Sequence, residues 1–288
     1  MKNLHKTWFD YFLVAVFLFL LLITLYPFLN VLAISFNDAT DTIKNVNLIV
    51  PRKFTLSNYK YVFEEGGIVK PLFMSIAKTV VGTLAGVVCT AMLAYTLSRR
   101  DFVFHKLFTL IFVITMYVGG GMIPEYLLIM RTLKLGNNFL VYIIPGLIWV
   151  YNMILVRSFI DGLPPALQEA AQLDGANDFQ TWYKVVMPLC TPVIATIALY
   201  YAVGQWNSFM DTYLYAKELP TLQYKLYEIM SQATMQLDTH TTTNATQAVT
   251  PMAIRMAVTV VATVPIIVVY PFVQKYFVGG MTLGAVKN

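Results

Sequence analysis

Glu169-Ala170-Ala171-Gln172-Leu173-Asp174-Gly175-Ala176 is a polar, alanine-rich stretch, closed thirteen residues past its glycine by Pro188 and set between two apolar segments of membrane length. Pro164-Pro165 is pre-organised for a first helical turn. Ala166, Leu167, Ala170, Ala171 and Leu173 then give the helix an apolar face of mostly small residues, while Gln168, Glu169, Gln172 and Asp174 stay polar. Gly175 suits a left-handed cap at the helix end, and Asn177 or Asp178 can cap a second helix that runs through Trp182, Val185 and Val186 to Pro188. The spacing predicts two short helices meeting at a tight turn. A face of alanines lets another protein approach closely, and Glu169 offers that partner a carboxylate.

Working outward, the flanking sequence is membrane-like. Hydrophobic residues make up 58% of the 288-residue chain and charged residues 12%, and the mean hydropathy is +0.64. A soluble domain carries about a quarter of charged residues. Runs of roughly 20 apolar residues, enough to cross about 30 Å of hydrocarbon as helix, are predicted at 11–36, 72–97, 107–130, 139–160, 189–210 and 252–277. The expected fold is all-α: one membrane domain over 1–288 with six transmembrane helices, both termini on one side, and the loop 161–188 carrying the hairpin. The first run is too long for the apolar core of a signal peptide and reads as an uncleaved anchor.

Lysines and arginines divide nearly evenly between the two sides, so the positive-inside rule does not orient the chain. The cluster Arg99, Arg100 and Lys106 in a very short loop favours termini inside. Net charge of +5 is spread singly over loop ends, which argues against a nucleic-acid surface. Cys89 and Cys190 fall in or beside apolar runs and read as inert thiols; His5, His105 and His240 lie in loops or tails. No metal site or histidine-based catalytic site is expected. A membrane enzyme would need ionisable groups clustered at one face, and Glu125, Asp161, Glu169, Asp174 and Asp211 are split among sites. An ion-coupled secondary transporter would show inverted repeats, and none is visible. There is no phosphate-cradling Gly-x-x-x-x-Gly-Lys-Ser/Thr loop.

Two polar features mark a pathway. Gly119-Gly120-Gly121 followed by Pro124 breaks the third run near its outer end, as a gate or as a plain helix-to-loop transition. In the fifth run Tyr200, Gly204, Asn207 and Asp211 recur at helical spacing with Gln205 and Ser208 beside them, and polar residues in a span face the bundle interior or water. Tyr200, Tyr201 and Trp206 suit stacking on sugar rings while Asn207 and Gln205 bond hydroxyls; hydrogen bonding between helices is the competing reading. Lys78, Arg255 and Glu125 read as side chains snorkelling to the interface. Polar outer segments are expected at 37–70, with a surface helix around 56–63, and at 216–250.

Glu-Ala-Ala, three residues, Gly, nine residues, Val185, one residue, Met187, Pro188 resembles the signature of the membrane subunits of binding-protein-dependent ABC importers, with methionine where that family more often has leucine. Leu25-Tyr26-Pro27-Phe28, Asn58-Tyr59, Gly119 to Leu127, Asn152 to Phe159, Trp206-Asn207 and Gly279-Gly280-Met281 to Lys287 look like the carbohydrate-uptake branch related to the maltose permeases. Within it the Gly-Gly-Gly-x-Ile-Pro-x-Tyr run is similar to permeases for polysaccharide-derived oligosaccharides. The resemblance implies a type I importer fold in a bacterial cytoplasmic membrane with both termini cytoplasmic. Glu169, Ala170, Ala171, Asp174, Gly175, Ala176 and Pro188 would then form a coupling loop on an ATPase. It implies a second, homologous permease, two copies of a cytoplasmic ATPase, an extracellular sugar-binding protein or lipoprotein, and surrounding lipid. ATP and Mg would be bound by the ATPase subunits and no cofactor by this chain.

Overall fold

The computed structural model describes residues 8–44, 49–238 and 250–285, and their regular structure is helical, with one isolated antiparallel bridge between Asn37 and Phe54. Residues 45–48, residues 239–249 of the Thr- and Gln-rich outer segment, and the terminal residues up to Thr7 and from Val286 lie outside the described residues. Packing gathers the chain into two compact units: 1–68 with 226–265, and 69–225 with 266–288.

In the first unit, α1 (Trp8–Ser35) is apolar all round, and none of its most apolar 18-residue window is buried within the chain. Such a surface is stable only against hydrocarbon or another protein. Below it the chain turns polar and knots itself with side chains: Asn37 accepts from the Lys53 amide at 2.8 Å and donates to Thr42 Oγ1 at 2.8 Å, and Asn58 donates to the Ser35 and Asn37 carbonyls, both at 2.9 Å. Short helices α2 (Ala39–Lys44) and α3 (Ser57–Glu64) flank this knot.

The second unit is built on α4 (Val69–Ser98), 30 residues long. After it come α5 (His105–Tyr117), α6 (Met122–Leu127, running into a π-helical turn to Thr132), a 3-10 turn Phe139–Tyr142, and α7 (Val150–Asp161). The hairpin helices are α8 (Ala166–Leu173) and α9 (Asp178–Thr181), the latter continuing through a π turn Trp182–Val186 into α10 (Met187–Leu189). Then follow α11 (Thr191–Asn207) and α12 (Met210–Tyr215); α13 (Leu222–Asp238) passes into the first unit after Lys225, and α14 (Pro251–Ala285) belongs to the first unit up to Pro265 and to the second beyond it.

Three of the expected runs are single helices long and apolar enough to span: Trp8–Ser35, Val69–Ser98 and Pro251–Pro271. Two more qualify only as bent pairs, α5 with Met122–Thr132 at 114° and Asp178–Leu189 with α11 at 86°. The expected straight run 139–160 differs most. Its helix begins at Val150, and residues 143–149 are irregular, because Pro145 has no amide to donate and Gly146 follows it. Irregular backbone at membrane depth needs protein partners, and α11 supplies them. The Tyr201 hydroxyl donates to the Leu147 carbonyl at 3.2 Å and accepts from the Trp149 amide at 2.9 Å, and Gln205 Nε2 donates to the Tyr142 carbonyl at 3.0 Å.

Lipid tails are as apolar as leucine, so helices in a bilayer associate through close packing and hydrogen bonds. The α4–α11 seam has both. A Cβ on Gly82 would lie 2.7 Å from Gln205 Nε2, and one on Gly86 would lie 2.6 Å from the Tyr201 ring. Two glycines one turn apart thus receive two long side chains one turn apart, and Thr90 Oγ1 bonds the Tyr201 hydroxyl at 2.7 Å.

Candidate functional site

The hairpin at the C-terminal end of α4 takes its shape from local backbone chemistry. The Gly175 amide bonds the Gln172 carbonyl at 3.0 Å and the Ala176 amide reaches back to the Ala171 carbonyl at 3.0 Å, the bond pair of a Schellman cap. Gly175 has φ +83°, and the space around it is open, so the backbone rather than crowding calls for glycine. Asn177 caps α9: its side chain accepts from the Gln180 amide at 2.8 Å while the Gln180 side chain accepts from the Asn177 amide at 3.1 Å. The π turn Trp182–Val186 then leads into Pro188, which has no amide to give.

Both arms are exposed and the base is buried. Glu169, Ala170, Asp174, Gly175 and Pro188 are exposed, Ala171 and Ala176 half-buried, and Leu173 is 89% exposed. Trp182, Val186 and Cys190 instead pack into a core with Ala94, Tyr95, Met153 and Ile160 from α4 and α7. An exposed pair of arms on a buried footing is the result.

One side chain ties the footing to both arms. Arg99, just past α4, grips Asp101 with two bonds, Nε to Oδ1 at 2.9 Å and Nη2 to Oδ2 at 2.7 Å. Its Nη2 also lies 3.4 Å from Asp178 Oδ1 at the start of α9, and the Gln172 amide oxygen in α8, in the orientation that satisfies it, accepts at 2.8 and 3.0 Å. Nη1 reaches the Tyr95 hydroxyl at 3.4 Å. The guanidinium holds the Asp101 carboxyl below the usual carboxylate range, mainly through these hydrogen bonds. A cavity of about 650 Å³ opens beside this cluster, lined in part by Arg100, His105, Arg157 and Glu169.

At the other end of α4, Lys78 does not snorkel. It is fully buried, forms an ion pair with Asp211 at 2.5 Å, donates to the Ser208 carbonyl at 3.3 Å, and lies 4.8 Å from the centre of the Tyr142 ring. α11 has ended at Asn207, and the Ser208 carbonyl freed by that break is what Lys78 takes up. The Tyr142 hydroxyl extends the network, donating to the Leu219 carbonyl at 2.6 Å and bonding Thr212 Oγ1 at 3.0 Å.

The polar stripe of the fifth run is therefore divided. Gln205 and Tyr201 are buried on protein partners, Trp206 is buried, Asp211 belongs to α12 and is paired with Lys78, and Gly204 lies against the Trp149 indole. Tyr200 and Asn207 are exposed, Asn207 bonding its own helix at the Val203 carbonyl, 2.9 Å away. Gly119, Gly120, Gly121 and Pro124 form an exposed break in which Gly121 has φ +83° and Pro124 sits in the first turn of α6. Sequence reasoning missed Arg99 as a link, Trp149, and the pairing of Lys78. A small-residue repeat, Gly82-x-x-x-Gly86, was the available signal for the seam.

Residues 79–283 match the family described as binding-protein-dependent transport system inner membrane component. The chain belongs to this family. It is thus a permease, a membrane subunit of a transport complex with no catalysis of its own, and permeases of this class work with an ATPase and a substrate-binding protein. The polygalacturonan/rhamnogalacturonan transport system permease protein YtcP of Bacillus subtilis (strain 168) is 35% identical over 282 residues, 97% of this chain and 98% of that one. Protein LplC of the same organism is 38% identical, covering 92% and 90%. A crystal structure of a bacterial ABC transporter involved in the import of the acidic polysaccharide alginate matches with a TM-score of 0.82 at 28% identity, over 96% of this permease and 100% of that chain.

Proposed function

We propose that this permease forms half of the translocation path of an ABC importer for polysaccharide-derived oligosaccharides and passes the work of ATP hydrolysis to that path through the hairpin 161–188. The observation that carries the reading is the exposed Glu169–Ala176 arm on its buried footing, a surface shaped for a partner and linked to α4. Glu169 offers charge, Ala170, Ala171 and Ala176 allow close approach, Asp174 and Gly175 turn the chain, and Pro188 ends the second arm. In this reading the hairpin and both termini face the cytoplasm of a bacterial cell. Two ATPase copies bind ATP and Mg, a second homologous permease supplies the other hairpin, and an extracellular binding protein delivers the sugar. All six runs, bent ones included, then act as one membrane domain with two packings whose balance both partners bias.

For the path itself, Tyr200 and Asn207 retain free surface on α11, and Gly119, Gly120, Gly121 and Pro124 form the gate. Gly204 supports the path through Trp149, and Gln205, Trp206 and Asp211 act on it as wall rather than as sugar ligands. The substrate class follows the relative named for polygalacturonan and rhamnogalacturonan transport and the solved transporter of the acidic polysaccharide alginate.

Glu169→Lys tests the reading. The variant permease should insert and pair normally but lose uptake and retain less ATPase on purification. Normal sugar-stimulated ATP hydrolysis in that variant would sink the proposal. Uptake of a length series of galacturonate and neutral oligosaccharides by the reconstituted complex checks the substrate class, with preference for neutral sugars overturning it.

A further inference from the structure

We infer that Arg99 is the positioning residue that makes the hairpin and α4 move as one body, so that a displacement at the hairpin reaches the helix seam. The inference rests on the coupling role proposed for the hairpin and adds the part that transmits it. Arg99 joins four places: Tyr95 on α4, Asp101 in the following turn, Gln172 in the last turn of α8 and Asp178 in the first turn of α9. A planar fork of donors can hold two arms of a hairpin in fixed relation to a carboxylate, and a lysine cannot. The apolar footing at Trp182 and Val186 anchors the second arm and α8 packs against that same π turn, while Arg99 adds the polar link from both arms to the end of α4. Without Arg99, the polar link between both arms and the end of α4 is lost, and only the apolar footing is left to carry a displacement to α4.

What α4 would carry is equally concrete. At about 1.5 Å per residue the helix is about 45 Å long. Along it lie Gly86 and Gly82, seated under Tyr201 and Gln205, and then Lys78, paired with Asp211. Of the α11 side chains, Tyr201 bonds the irregular backbone at Leu147 and Trp149, and Gln205 bonds the Tyr142 carbonyl just before it. A shift of α4 along the seam therefore acts on the Trp149 region and on the break after Asn207 together.

The experiment uses the full complex in proteoliposomes with its ATPase and binding protein, comparing Arg99→Gln and Arg99→Lys with the wild type. ATP hydrolysed, oligosaccharide moved and ATPase retained on purification are read on the same preparations. Both variants are expected to retain ATPase and hydrolyse ATP, while the sugar moved per ATP falls about tenfold, the scale of one lost set of charge-assisted hydrogen bonds. Failure of Arg99→Lys to rescue shows that geometry rather than charge is required. An unchanged ratio of sugar to ATP in Arg99→Gln overturns the inference. So does a loss of bound ATPase in proportion to transport, which would make Arg99 a simple fold stabiliser of the hairpin. If Glu169→Lys keeps its ATPase and its transport, the coupling role itself fails, and that result is distinct from either Arg99 outcome.

Discussion

The hairpin at one end of α4 and the seam along its length follow opposite rules. The hairpin is exposed, and its form comes from residues close together in sequence: a Schellman cap at Gly175 and a capping box from Asn177 to Gln180. The seam is buried, and its contacts join residues far apart: Thr90 to Tyr201, Tyr142 to Gln205, Lys78 to Asp211 across 133 positions. An exposed segment keeps its polar groups outward and secures its backbone locally. A broken helix inside a membrane must borrow hydrogen bonds from a neighbour, since neither water nor lipid supplies them.

That contrast can be broken at the ion pair first, where the largest effect is expected. Lys78→Met leaves the Asp211 carboxylate without its partner and should cost about 3–5 kcal/mol. Lys78→Met combined with Asp211→Leu should recover most of the loss. Thermal unfolding of the purified permease in detergent reads both, and equal melting temperatures for the single and double variants would show that the pair contributes no coupling.

A smaller loss is expected one step along the seam. Tyr201→Phe keeps the ring on Gly86 but strips the hydroxyl from the Trp149 amide and the Leu147 carbonyl, at about 1–3 kcal/mol. Amide exchange should speed up first in residues 143–149. Protection unchanged there would mean that the irregular backbone does not depend on α11.

The smallest of the three sharpens the comparison from the hairpin side. Gly175→Ala forces a side chain into the left-handed region at about 1–2 kcal/mol. The cost should appear as faster exchange within α8 and α9 with little change in global melting. A global loss as large as that of Tyr201→Phe would show that the hairpin is not a locally determined unit.

Much of the hairpin was legible because each of its signals acts within a few residues: proline before a helix, glycine after it, asparagine before the next. The apolar runs were legible for a related reason, since length and composition alone decide what hydrocarbon accepts. The polar stripe misled because helical spacing was carried through Ser208, where α11 stops; Asp211 belongs to a new helix and faces Lys78 rather than continuing the face of Tyr200 and Asn207.

The sequence by itself determined that the chain is a helical membrane protein with a polar hairpin between apolar runs, because hydropathy and local capping chemistry need no knowledge of distant residues. Tertiary structure alone decided which polar side chains are spent on the protein and which are left free. Gln205, Asn207 and Asp211 are equally polar in sequence, but one mends a broken neighbour, one stays on the surface of its own helix, and one neutralises a buried lysine. The reason is physical: in a low-dielectric interior a polar group goes where an unpaired partner is, and that partner is set by the packing of α4 against α11.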